Sequence, residues 1–327
     1  MKAVVYQQYG SPEVLTLSEI EKPSLKNYEI LVKVHATSVT TGDVNLRNFV
    51  FVPHGFRLIT RLVFGINKPK KHVLGIEFAG EVAAVGSEVS KFKVGDAVFG
   101  LDGTNWGAYA EYKAVSQNVG VTHKPTNLSY DLAVAIPNGS LTALTFLSKL
   151  GKVQPGEKVL IVGASGSVGS AAVQIAKYLG AEVTGVCSAR NVDLVKSLGA
   201  DHVIDYSKED FTKGRKTYDV IFDTVNKTRF GKCKRILNNG GRFLVGAGGP
   251  LAFLQMARTA LFGSKKVLAG TSSESQENLA FIKELVEQGH INPVIDRSYP
   301  LAKIVEAHSY VDTGHKRGNV VVNIVPA

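Results

Sequence analysis

The chain has 327 residues, 44% of them apolar and 20% charged, a length that suits two hydrophobic cores and a composition that excludes a disordered polymer or a coiled coil. Its net charge of +10 and pI near 9.4 fit nucleic acid, an anionic membrane face or a polyanionic small molecule such as NADPH. Lys and Arg are scattered, with short dense clusters at 68–71 and 213–216, and no helix-turn-helix, zinc-knuckle or RNP pattern accompanies them, so nucleic acid is not the expected partner. Cys187 and Cys233 have no second Cys or His at metal-binding spacing, so no metal site is expected. A strand begins at once after Met1 and no apolar run would span a bilayer; a cytoplasmic location is the expectation.

From Met1 to about Asn127 the pattern is short strands and glycine turns: Lys2–Tyr6, Leu15–Ile20, Glu29–Ser38, Val73–Val85, Ala97–Leu101 and Ala108–Ala114. A long connection between Asn48 and Lys71 has the length of a mobile lid. From Ser129 the period lengthens, first in an apolar helix over Asp131–Leu150 closed by Gly151. Strands and helices then alternate. Lys158–Gly163, Glu182–Cys187, His202–Asp205, Asp219–Asp223, Arg242–Gly246 and Val267–Gly270 read as strands; Val168–Leu179, Asn191–Leu198, Arg229–Leu237 and Gln276–Glu287 read as helices. Such repetition implies a parallel sheet covered on both faces. After Asn292 come a short helix, Leu301–Tyr310, and a strand, Asn319–Val325. This tail has no core of its own, so it is expected to return to the first domain, giving domains of 1–127 with 293–327 and of 128–292.

The sharpest chemical signal runs from Val159 to Ala176, where a β-type segment passes through Gly163, Gly166 and Gly169 straight into a helix. Glycines allow a tight turn and let backbone N–H groups approach a pyrophosphate, while the helix start adds its positive dipole end. The spacing is one residue longer than Gly-x-Gly-x-x-Gly, and the strand, turn, helix, strand context is what makes it a dinucleotide site. NAD-selective sites end the second strand with a carboxylate for the ribose hydroxyls. Here that strand ends in Ser188-Ala189-Arg190, a hydroxyl and a guanidinium suited to a 2′-phosphate. Tyr206, after the third strand, adds a contact near the adenine. The competing reading makes Arg190 a solvated residue of the next helix.

Gly75-Ile76-Glu77-Phe-Ala-Gly80, continuing to Gly86 and Val89, then Lys93-Val-Gly95-Asp96-Ala-Val98, resembles the signature of the medium-chain dehydrogenase/reductase family. Leu141-Thr142, Val153 to Val159, Ser197 to Tyr206 and Gly318-Asn319-Val-Val-Val extend the resemblance along the whole chain. It implies a Rossmann α/β doubly wound parallel sheet plus a GroES-like β-barrel domain that takes back the C-terminal tail, and a homodimer joined near Val267–Thr271. It also implies cofactor contacts at Asn138, Thr142, Ser165, Ser167, Val168, Gly246 and Asn319, besides the three glycines. The departures are informative. Where zinc alcohol dehydrogenases carry a ligand Cys this chain has Thr40, their ligand His becomes Ile76, the later Cys falls near Asn138, and the four-cysteine lobe is missing. Ile and Thr cannot replace imidazole and thiolate around Zn²⁺.

The resemblance therefore narrows to the zinc-free quinone oxidoreductase, zeta-crystallin and alkenal/enone reductase branch, which uses NADPH. Without a Lewis acid, unactivated alcohols are poor substrates. A quinone or α,β-unsaturated carbonyl spreads the charge left by hydride addition, so positioning and a few hydrogen-bond donors suffice. Thr40, Thr41, Asn45 and Asn138 are candidate donors to the substrate oxygen, Asp43 is a recurrent family position, and no residue stands out as proton donor, leaving water. Ordinary turn and cap roles are the competing reading for each. Phe49–Lys71 and Leu251–Lys266 mix bulky apolar residues with cations, which suits a substrate lid and a crossover helix at the dimer interface, with a peripheral membrane contact as the alternative. Alternatives from other classes are an NADPH-binding protein with little turnover, serving redox sensing or RNA binding, and a zinc-free enoyl-thioester reductase.

Overall fold

A computed structural model describes residues 1–50, 57–66, 68–246 and 250–325. Its strands, in chain order, are β1 (Lys2–Tyr6), β2 (Leu15–Glu19), β3 (Glu29–Ser38), β4 (Glu77–Val85), β5 (Ala97–Leu101), β6 (Tyr112–Ser116), β7 (Val121–His123), β8 (Lys158–Val162), β9 (Glu182–Cys187), β10 (His202–Asp205), β11 (Tyr218–Asp223), β12 (Leu237–Gly246), β13 (Lys266–Gly270), β14 (Ile295–Pro300) and β15 (Asn319–Asn323). The chain divides into two compact units, Met1–Pro137 with Glu274–Glu287 and Pro293–Ala327, and Asn138–Ser273 with Gln288–Asn292.

The first unit is built on a seven-stranded sheet in the order β14-β15-β3-β4-β5-β7, with β6 also paired to β3. Alternation in β3 sends Ile30, Val32 and Val34 inward at 0% exposure, each contributing about 1.5–3 kcal/mol by burial. A second core forms where the tail residues Leu301, Ile304, Val311 and Val320 pack with Val4, Tyr6, Val44 and Leu74. The tail and the N-terminal strands thus bury each other's apolar faces.

In the second unit the strand order is β10-β9-β8-β11-β12-β13, all parallel. β8 is buried at four consecutive positions, Val159 to Val162, as a strand covered on both faces must be. Because every strand points the same way, the residues that follow β8, β9, β10, β11 and β12 line one edge of the sheet.

The compact units differ from the expected 1–127/128–292/293–327 division in two segments, 128–137 and 274–287, which belong to the first unit. Polar contacts fix the second of these. Gln276 Nε2 donates to the carbonyls of Val121 (2.8 Å) and Gln117 (3.2 Å), and Glu287 Oε1 accepts from the Thr126 amide (3.0 Å). The expected single helix over Asp131–Leu150 is three pieces, Tyr130–Val134, Pro137–Leu144 and a π-helical Thr145–Leu150. Pro137 has no N–H to continue the first piece, and the last closes with the Gly151 amide on the Phe146 carbonyl at 2.7 Å. The expected helix Arg229–Leu237 shrinks to Phe230–Cys233, since Leu237 already pairs with Tyr218 in the sheet. The strand expected from Val73 begins only at Glu77, after a turn in which Gly75 has φ of 91°.

Of the Asn48–Lys71 connection, residues 51–56 and 67 lie outside the described set. Its helix, Arg57–Phe64, is tied down by the Tyr9 hydroxyl, which donates to the Phe64 carbonyl (3.0 Å), and by the Arg61 guanidinium 4.9 Å from the Phe49 ring centroid. The Phe64 ring stacks on Trp106, 5.7 Å between centroids. Beneath Trp106, the Lys113 ammonium donates to the carbonyls of Trp106 (2.5 Å) and Asn105 (3.1 Å) and pairs with Asp102 at 3.4 Å, both side chains being at most 2% exposed. Removing one member of a buried ion pair strands the other. Lys113→Met is expected to cost about 3–5 kcal/mol in urea unfolding, and Lys113→Met/Asp102→Asn to recover part of that loss.

Candidate functional site

β8 leads straight into Gly163, whose φ of +79° and a would-be Cβ 2.6 Å from Val225 Cγ1 both demand glycine. Gly166 then starts the helix Ser167–Tyr178 with no side-chain cap, so the positive end of the helix opens onto the turn. A Cβ on Gly169 would lie 2.0 Å from the Gly163 carbonyl oxygen; the helix rests directly on the strand end. Gly139 extends the packing, since a Cβ there would lie 2.7 Å from the Ser167 carbonyl oxygen. It brings half-buried Asn138 and Thr142, one helical turn apart, beside the same helix start.

Ser188 and Arg190 follow β9, and Tyr206 follows β10, its amide donating to the Cys187 carbonyl at 3.0 Å. Arg190 and Tyr206 are exposed. Between them lies a residue that the sequence reading missed. Asn191 is 4% exposed, and its Nδ2 donates to Ser165 Oγ (2.9 Å) and Ser188 Oγ (3.2 Å), clamping the glycine turn to the end of β9. Its Oδ1 is buried and, among the described residues, has no hydrogen-bond partner. Asp205, at the end of β10, accepts from the Ser207 hydroxyl (2.8 Å) and amide (3.0 Å), which hold its carboxyl below the usual range, and the Ala189 amide also bonds it.

The structure therefore gathers Gly163, Ser165, Gly166, Ser167, Val168, Gly169, Ser188, Arg190 and Tyr206 at the ends of β8, β9 and β10, with Asn138 and Thr142 alongside. Gly246 ends β12, farther along the same sheet edge, with nothing within 4 Å of its would-be Cβ. Asn319 lies in the other unit, where its Nδ2 donates to the carbonyls of Ala135 (2.8 Å) and Val294 (3.1 Å). An uncapped helix start, a cradle that a Cβ would fill and an orphaned buried acceptor beside two hydroxyls suit a phosphorylated dinucleotide.

Thr40, Asp43 and Asn45 sit in the first unit at the start of the helix Thr41–Asn48. Thr40 and Asp43 form a capping box: the Asp43 amide donates to Thr40 Oγ1 (3.1 Å), while Asp43 Oδ2 accepts from the Thr40 amide (2.9 Å) and hydroxyl (2.6 Å). The single hydroxyl proton of Thr40 is thus committed to Asp43 rather than to a substrate. Asp43 Oδ1 accepts from the Gly75 amide (3.0 Å), and the Tyr109 hydroxyl also bonds this carboxylate. Burial pushes Asp43 up and these bonds pull it down. Asn45 is half-buried, and among the described residues its side-chain amide has no hydrogen-bond partner.

Behind Tyr109 lies a second buried assembly. His308 Nε2 is 3.1 Å from the Tyr109 hydroxyl, its Nδ1 is 2.9 Å from Arg47 Nη1, and Arg47 Nη2 pairs with Asp312 at 2.6 Å. Arginine can only donate, so Nδ1 accepts and Nε2 carries the proton toward Tyr109. Burial, reinforced by Arg47, lowers His308 to about 3.

The positions that resemble metal ligands offer no donor set. Thr40 is held by Asp43, Ile76 has no donor atom, and Glu77 accepts from the Ser38 hydroxyl and faces Lys316. The described residues contain no group of three or more His, Cys, Asp or Glu able to share a metal ion.

A parallel βαβ sheet with this glycine turn, in one chain with a mainly antiparallel unit, defines a dinucleotide-binding oxidoreductase. Residues 26–126 match the alcohol dehydrogenase GroES-like domain, 198–322 the zinc-binding dehydrogenase model and 133–229 the C-terminal domain of alanine dehydrogenase/PNT. The chain is 34% identical to 2-methylene-furan-3-one reductase of Solanum lycopersicum, covering 100% of this chain and 80% of that protein. It is 31% identical to the chloroplastic NADPH-dependent alkenal/one oxidoreductase of Arabidopsis thaliana, covering 100% and 80%. Among solved structures, the quinone oxidoreductase of Coxiella burnetii superposes with a TM-score of 0.88 at 30% identity over 99% of both chains. That of Escherichia coli, complexed with NADPH, superposes with a TM-score of 0.82 at 25% identity over 99% and 100%. The chain belongs to the medium-chain dehydrogenase/reductase family.

Two outcomes follow from this geometry. Gly169→Ala forces a Cβ into the Gly163 carbonyl, so it is expected to destabilise the fold by about 1–3 kcal/mol and to weaken dinucleotide binding about tenfold or more, read by thermal melts and fluorescence titration. For His308, the unfolded chain takes up a proton near pH 6.5 that the folded state accepts only near pH 3. The stability contributed by this neutral imidazole is complete above about pH 6.5 and is lost as pH falls toward 3, by up to about 1.4 kcal/mol per unit. His308→Gln keeps an acceptor for Arg47 and a donor for Tyr109, and is expected to flatten the acid limb of stability against pH.

Proposed function

We propose that this chain reduces quinones or α,β-unsaturated carbonyls with NADPH and without zinc. The observation that carries the proposal is the coexistence of an intact dinucleotide turn with ligand-like positions occupied by Ile76 and a fully committed Thr40. The names of the relatives, which include quinone oxidoreductases and alkenal/one reductases, support it.

The turn amides over Gly163–Gly169 and the helix start would hold the pyrophosphate, with Ser165 and Ser188 oriented by Asn191. Ser188 and the exposed Arg190 would take the 2′-phosphate and Tyr206 would flank the adenine. Asn138 and Thr142 belong to the same cofactor groove. Bound NADPH supplies the hydride. Asn45 is the proposed donor to the substrate oxygen, its neighbours Thr40 and Asp43 fixing the helix that carries it. A homodimer joined along the sheet-edge strand β13 belongs to the same reading.

Arg190→Ala is expected to weaken NADPH binding about 10- to 100-fold, the worth of one charge-assisted phosphate contact, while leaving NADH binding nearly unchanged. Equal affinities of the unaltered protein for the two nucleotides would overturn the phosphate assignment. NADPH binding without turnover across a panel of quinones, enals and enones would overturn the reductase reading.

A further inference from the structure

The connection from β10 to β11 holds one short 3-10 turn, Phe211–Lys213, where the two crossovers before it carry the helices Ser167–Tyr178 and Val192–Ser197. So slight a cover leaves part of the sheet face bare, and a cavity of about 290 Å³ opens there. That volume is near the lower end for small-molecule sites and has room for one ring. Its lining follows from strand register. Thr184 of β9 and His202 of β10 are paired neighbours on one face, with Ile204 two residues further along it. Tyr218, the first residue of β11, packs with Ile204 and Phe211 in the same apolar cluster.

Thr184 and Tyr218 are 2% and 3% exposed, and their side chains are hydrogen-bonded to each other. Two hydroxyls carry two hydrogens and one shared bond uses one of them. Among the described residues neither has another partner, so one O–H hydrogen is left for whatever fills the cavity. The mouth is cationic. Lys208 and Lys213 of this connection pair with Asp205 (4.0 Å) and Asp210 (3.6 Å), but exposed Arg215 and Lys216, which line the cavity, have no ion pair among the described residues. His202 lies 3.3 Å from Glu182, and exposed Glu209 is the acid in the lining. His202 and Tyr218 begin their strands, so the cavity lies toward the end of the sheet opposite the glycine turn, Ser188 and Tyr206. β10 is also the sheet edge farthest from β13, so a dimer joined along β13 leaves it open.

We propose that this cavity binds a single-ring aromatic carboxylate. The ring sits against Phe211 and Ile204, the carboxylate meets Arg215 and Lys216, and a ring oxygen accepts the spare hydrogen of the Thr184–Tyr218 pair. Aromatic walls favour a flat ring, and a guanidinium matches a carboxylate through two parallel bonds. Inorganic phosphate would satisfy the cations and leave the aromatic walls in water; an uncharged ring would leave the cations unmatched. The site is separate from the nucleotide turn and does not rest on the reductase reading.

The test is equilibrium dialysis of the full chain with 4-hydroxybenzoate, alone and with NADPH. Binding is expected with a Kd of about 1 mM or below, unchanged by NADPH. Uncharged 4-hydroxybenzamide is expected to bind about tenfold more weakly, and benzoate, which has no ring oxygen, about threefold more weakly. Arg215→Ala/Lys216→Ala is expected to lower the affinity for 4-hydroxybenzoate about tenfold or more, with the melting temperature unchanged. No binding at about 10 mM, or equal affinity of the double variant, would overturn the proposal. So would displacement by NADPH, which would assign the acid to the nucleotide site.

Discussion

The helix Ser167–Tyr178 sits on the carbonyl oxygen of Gly163 at a distance that leaves no room for a side chain at position 169. That contact fixes the height of the helix start above the sheet edge, and with it the placement of every amide in the turn. Gly163 in turn abuts Val225 and Thr224 after β11, and the buried Asn191 ties Ser165 to the end of β9. Three parallel strands are thus brought to common register around one missing methyl group. Because each link is backbone packing or a buried hydrogen bond, the site is organised before any ligand arrives.

How much of this could be read from the residues depended on how local the physics is. The glycine turn was legible because strand, turn and helix are contiguous, and a parallel sheet followed from the alternation of elements, though the order of its strands did not. Asn191 was not, since its role comes from Ser165, 26 positions earlier. The Arg47–His308 contact spans 261 positions and gives no periodic signal in either segment. Thr40 and Asp43 stood out as polar residues at a family site, yet a capping box explains the same spacing through backbone satisfaction. The broken helix after Ser129 was masked by apolar periodicity that continues straight through Pro137.

The charge of the chain shows a related effect. Counted as clusters of Lys and Arg it looks scattered; counted as the absence of acids it concentrates in the fifty residues from Thr224 to Ser273. The two units therefore divide the physical work. The parallel sheet carries the nucleotide turn and the cationic stretch, while the mainly antiparallel unit buries a fixed polar core around Asp43 and Tyr109.

That polar core has a direction imposed on it. An imidazole between two hydroxyl-type neighbours could swap tautomers and relay a proton either way, but Arg47 heads the line and never gives up its charge. The relay is rectified: hydrogens point from Arg47 through His308 and Tyr109 to Asp43 and cannot be reversed. Asp43 and Tyr109 are consequently spectators in acid–base terms. A proton needed at a neighbouring ligand would therefore not be drawn from this line of groups.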